Sequence, residues 1–101
     1  MTGYKTNIEK MTLENIYFRQ VLYTATNMQL VVMALQPSED IGVEVHPKVD
    51  QFFRVEEGEA NVVMNGVSQD VKAGDVFIVP QGTEHNVINT SKTAMLKLYT
   101  I

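Results

Sequence analysis

Two runs carry the residue types that do chemistry: EVHPKVDQ at 44–51 and PQGTEHNVIN at 80–89. Glu44 and His46 are two apart, so in an extended segment they share a face while Val43 and Val45 share the other. A turn over Pro47-Lys48-Val49-Asp50 returns Gln51 beside them. Three polar side chains on one interior face are costly to desolvate unless each finds a partner, and one cation satisfies all three. His85, in phase with Val87 and Asn89, adds a second imidazole. Glu44, His46, Gln51 and His85 form a mixed nitrogen and oxygen set suited to Zn, Mn, Fe, Ni or Co and ill suited to Cu(I). On spacing alone a small hydrogen-bond network or a solvated pocket fits as well.

Other chemistry is sparse. The chain has no cysteine, which excludes disulfides and thiolate metal ligands. It contains no GxSxG, HExxH or glycine-rich phosphate loop. Ser38, Ser68 and Ser91 sit in turn-like sequence, without support for a serine nucleophile. Eight basic against twelve acidic residues give a net charge of −4, and the lysines and arginines form no stripe, so no nucleic-acid partner is expected. The longest apolar run, LVVMAL at 30–35, is too short to cross a bilayer. The expectation is a cytoplasmic protein with no membrane partner. Glu56, Glu57 and Glu59 around Gly58 read as a solvated hairpin end.

The elements that must position these residues are strands. Apolar clusters are short and rich in Val, Ile, Phe and Tyr, and their boundaries carry Gly, Pro, Asn or Asp. Strands are expected near 16–23, 28–35, 42–46, 50–56, 60–65, 67–71, 76–79, 85–89 and 94–100. Asn65-Gly66 predicts a type I′ hairpin turn, and KAGD at 72–75 another turn. Only MTLENI, with Thr12 as cap, suggests helix, for a single turn. Nine short strands without a 3.6-residue period imply an all-β sandwich or barrel spanning 1–101 as one domain. In QFFRVEE, Gln51, Phe53 and Val55 face inward and Phe52 and Arg54 outward; Phe52 beside Arg54 reads as a homodimer contact.

At these residues the sequence resembles the cupin superfamily. The second of that family's two motifs is matched without a gap from Gly74 through Pro80, Gly82 and His85 to Asn89. The first is altered. Counting back from Gly58, Gln51 falls at the usual glutamate, His46 at the second histidine and Glu44 at the first histidine. The resemblance covers about 28–99 and implies a double-stranded β-helix (jelly-roll) barrel. It implies that His46 and His85 are metal ligands, that Gln51 takes the carboxylate position, and that Glu44 replaces the missing histidine; as the one carboxylate of the inward set, Glu44 is also the candidate catalytic group. Small cupins of this kind are similar to proteins labelled mannose-6-phosphate isomerase, whose known members are much longer. Cupins of this kind also often continue past the last strand with a proline-rich tail, so the expectation is either a natively short protein or part of a longer one. Three functions follow from the resemblance: Lewis-acid chemistry on a small hydroxy-carbonyl or sugar-like substrate, oxygen chemistry at Fe(II), and binding of a small-molecule ligand without turnover.

Overall fold

In a computed structural model that describes residues 3–101, strand alternation sorts the chain into two facing antiparallel sheets. The elements are α1 (Ile8–Glu14), β1 (Gln20–Thr24), β2 (Gln29–Leu35), β3 (Gln51–Glu57), β4 (Glu59–Met64), β5 (Val67–Lys72), β6 (Val76–Val79), β7 (His85–Asn89) and β8 (Leu96–Thr100). One sheet runs β1-β2-β8-β3-β6 and the other β5-β4-β7. This is the jelly roll that the sequence implied. Phe53, Val55, Leu96, Leu98, Val62 and Val87, each at alternate positions of its strand, meet in the core between the sheets. Phe53 stacks on Phe77 with ring centroids 4.6 Å apart.

Asn65 and Gly66 both have positive φ, at 48° and 79°, as the predicted hairpin turn between β4 and β5 requires. Three expectations outside the site are corrected. The helix is longer than one turn and is capped by Asn7, whose Oδ1 accepts from Lys10 N at 3.0 Å. Thr12 lies inside it, buried, and donates from Oγ1 to Ile8 O. The helix forms because it covers the outer face of the larger sheet, where Val32 and Ala34 are buried; tertiary burial outweighs weak propensity. Lys97 Nζ pins its last turn by donating to Leu13 O, where a cation meets the negative end of the helix. β1 starts only at Gln20, later than expected. Finally, Glu56 is not part of a solvated hairpin end: its side chain is 7% exposed and lies 3.3 Å from Arg54 Nη2.

The expected strand at 42–46 is replaced by a bulged segment, and the bulge decides the site. Residues 39–44 run antiparallel along β7, with Asn89 N donating to Glu39 O, Ile41 N to Val87 O, and Glu44 and His85 exchanging both backbone bonds. Asp40 bridges Ile88, whereas Glu44 bridges His85. An unbroken ladder from the first pair would set residue 43 opposite His85, so one extra residue is accommodated in between. Gly42, at φ +83° with its N–H on Asp40 Oδ1, takes up that residue. A one-residue shift exchanges faces. The bulge therefore leaves Val43 exposed and brings Glu44 level with His85.

Gly58 joins β3 to β4 at φ +94°, and a Cβ there would sit 2.7 Å from Met95 O and 3.1 Å from Leu96 Cα. Both neighbours are backbone and cannot turn away. Gly58→Ala is expected to destabilise the protein by about 2 to 3 kcal/mol through backbone strain and the clash. The shift in urea midpoint measures it.

Candidate metal centre

Four segments converge on one end of the barrel. The Glu44–His85 bridge fixes two of the candidate side chains on directly opposed backbones. Gly82 N donates to His46 O at 2.8 Å, and Gln81 N to Asp50 Oδ1 at 2.9 Å. The turn before β7 is thus stitched to both ends of the 46–50 loop. Gln51, the first residue of β3, faces inward in phase with Phe53 and Val55.

Glu44, His46 and His85 each bring one ligand atom to within 4.8 Å of the others. The two imidazole rings lie 5.6 Å apart and tilted by 42°. His46 Nε2 is 3.1 Å from Glu44 Oε2, and both side chains are about two-fifths exposed, at 41% and 44%. An exposed histidine–carboxylate pair at that distance is an ordinary hydrogen bond and weighs little by itself.

The buried atoms weigh more. His85 is 1% exposed, and its Nδ1 lies 2.9 Å from Thr83 O. A carbonyl only accepts, so Nδ1 carries the proton and Nε2 presents a lone pair. That Nε2 is buried and has no hydrogen-bond partner among the described residues. Gln51 Nε2 donates to Thr100 Oγ1 at 2.9 Å, which leaves Gln51 Oε1 as the free end of the amide; it too is buried without a partner. Two buried acceptors without a donor each forfeit about 1–3 kcal/mol of solvation. A cation held between Glu44, His46 and His85 offsets the loss at His85 Nε2, so these three residues fit a divalent metal, and Gln51 Oε1, on the same pocket wall as Glu44 and His46, is a further donor of the right type. Fixing a histidine ligand through its other ring nitrogen is also the usual arrangement around metals.

Glu44, His46 and Gln51 line a pocket of about 750 Å³ together with Met28, Val31, Met33, Ile41, Val49 and Phe53. An apolar wall with a few convergent polar groups is the ordinary make-up of a small-molecule site. Asn89 is absent from it. Its amide is spent on the backbone, donating to Leu35 O, Gln36 O and Ala94 O. Thr100 and the Thr83 carbonyl, which orient Gln51 and His85, were not singled out in the sequence. Thr100 was legible there, in inward phase with Leu96 and Leu98, whereas a backbone carbonyl leaves no trace in residue identity.

Known proteins agree with this architecture. The cupin domain model matches residues 31–101. The chain is 44% identical over 102 residues to an uncharacterized protein of Acanthamoeba polyphaga mimivirus, covering 97% of this chain and 63% of that one. It is 46% identical to the uncharacterized protein YrkC of Bacillus subtilis (strain 168), covering 94% of this chain and 54% of YrkC. The chain thus spans less than two thirds of either relative. The crystal structure of a Bacillus halodurans protein, 41% identical, superposes with a TM-score of 0.92 over 96% of this chain and 77% of that one. With the motif from Gly74 to Asn89, the two-sheet barrel and the histidines at its end all in place, the chain belongs to the cupin family.

Proposed function

We propose that Glu44, His46, Gln51 and His85 hold one divalent transition metal, Zn, Mn, Fe, Ni or Co, at the inner end of the pocket. The observation that carries this is the pair of partnerless buried acceptors, His85 Nε2 and Gln51 Oε1. When bound, the metal supplies Lewis acidity toward a small hydroxy-carbonyl or sugar-like substrate. The protein's own part is positional. The Thr83 carbonyl holds the His85 ring in the tautomer that offers Nε2, and Thr100 holds the Gln51 amide with its oxygen free. Phe53, Val31 and Met33 narrow the water-accessible space beside these groups. Glu44, the one carboxylate of the set and 44% exposed, is the group able to take or return a substrate proton, through the oxygen that the metal leaves free.

A second reading, binding without turnover, is favoured by one observation. Beyond the proposed ligands, the pocket lining contains no histidine and no lysine, and its one further carboxylate, Asp50, already accepts from Gln81 N, so acid–base partners for Glu44 are scarce among the described residues. A homodimer belongs to the same proposal. It is supported by the outer face of the larger sheet, where exposed Val76 and Ile78 flank half-buried Phe52 and Arg54 across paired strands.

The test is metal analysis of untagged protein after repletion with each of the five metals in turn. About one equivalent of metal per chain is expected. At about a hundredfold excess over Kd, binding should stabilise the fold by about 3 kcal/mol, reversed by a chelator. No uptake of any of the five ends the metal reading.

A further inference from the structure

The pocket contains a cation that the metal chemistry leaves unused. Arg19 precedes β1, and its Nη2 donates to Gln29 Oε1 at 3.0 Å. Gln29 Nε2 in turn donates to Thr24 Oγ1 at 2.9 Å. Thr24 thus fixes the Gln29 amide with its oxygen toward the guanidinium, and Gln29 holds the guanidinium in place. All three residues line the same pocket as Glu44, His46 and Gln51.

Arg19 makes no ion pair among the described residues, in a chain whose net charge is −4. The only other arginine, Arg54, is paired with Glu56. A guanidinium tethered by one neutral amide keeps most of its five N–H donors for something else. The groups able to use them bidentately are carboxylates and phosphates.

Strand register gives the span. Phe53, Thr100 and Val31 lie in one row across β3, β8 and β2. Stepping two residues toward the start of β3 and of β2 reaches Gln51 and Gln29, again in one row. They are two inter-strand spacings apart, about 10 Å. Both glutamines are in inward phase with side chains of equal length, so their amides are a similar distance apart and a ligand bridging the groups they hold is a short chain. The anion faces a single guanidinium, with Glu44 and Asp50 on the same lining. That arrangement suits a singly charged carboxylate and disfavours a phosphate monoester, which carries close to two charges.

We propose that Arg19 determines specificity by clamping the carboxylate of a short-chain hydroxy- or oxo-acid whose other end reaches the metal centre. The distal end rests on the metal reading above; the clamp does not.

Calorimetric titration with γ-hydroxybutyrate, its uncharged amide and hydroxyethyl phosphate tests this on metal-loaded and chelator-treated protein, with metal content measured alongside. The acid is expected to bind more tightly than the amide. Arg19→Gln should weaken the acid about tenfold or more and leave the amide and the metal content unchanged. Arg19→Lys should restore part of the acid's affinity. The clamp is overturned if Arg19→Gln leaves acid binding intact, if acid and amide bind alike, or if the phosphate binds more tightly than the acid. Should the wild type take up no metal, the metal reading falls alone. An acid preference in that protein that still disappears in Arg19→Gln upholds the clamp.

Discussion

Replacing His46 by alanine is expected to abolish metal uptake and leave the fold almost untouched. The His46 side chain is 41% exposed, and among the described residues its only side-chain hydrogen bond is to Glu44, which is itself exposed. Surface substitutions of this kind usually move stability by no more than about 0.5 kcal/mol. The effect on the metal should be far larger, because outer-shell partners of a ligand already cost roughly 10–100-fold when removed, and His46 is proposed as a ligand itself. The comparison with His85 shows why His46 is the better probe. His85 is buried against the edge of Phe53, with ring centroids 6.3 Å apart, so His85→Ala also opens a cavity. That variant would lose about 2–4 kcal/mol whether or not a metal binds. Metal stoichiometry and thermal melting of His46→Ala, measured together, separate the two effects. Unchanged uptake in a folded variant would mean that the ligand set is misassigned.

What could be read from the chain in advance was whatever lies within one strand. Alternation in QFFRVEE identified Gln51, Phe53 and Val55 as the inner face, and the same period set His85 in phase with Val87 and Asn89. The run from Gly74 to Asn89 fixed the fold family. Alternation does not say which residue lies opposite which, and the site depends on that. Glu44 reaches His85 only because Gly42 absorbs one residue of register; the local sign, Asp40 two residues before a glycine, is common in turns. Arg19 is illegible in the sequence for the same reason. Nothing near it marks a binding group, and its place in the pocket follows from Gln29, ten residues on. The helix exceeds its sequence signal because seven residues seldom hold a helix unaided, and the sheet that stabilises it is assembled from three distant segments.

The largest loss of stability is expected at Asn89, which shares the phase of His85 yet serves the backbone. Its Nδ2 lies 3.1, 3.1 and 2.9 Å from the carbonyls of Leu35, Gln36 and Ala94, and its Oδ1 accepts from Ser91 N at 3.0 Å. An amide has two N–H groups, so one of them is shared between two carbonyls. The residue is 1% exposed, and no water can take over these bonds without opening the barrel. Asn89→Ala removes every one of them and strands carbonyls at the end of β2 and before β8. At about 1 kcal/mol for each bond and a further penalty for buried acceptors, the cost should be about 3–5 kcal/mol. For a chain of this size that is a large fraction of the usual 5–15 kcal/mol. It should lower the thermal midpoint by more than about 10 °C. Asn89→Asp keeps the acceptor but loses the donors and buries a charge, so it should rescue nothing. Metal stoichiometry of either variant, taken well below its midpoint, should match the wild type, because the clamp ties strand ends together and touches no proposed ligand. A midpoint within about 2 °C of wild type for Asn89→Ala would show that the three carbonyls find other donors and that the strand ends are held by packing alone.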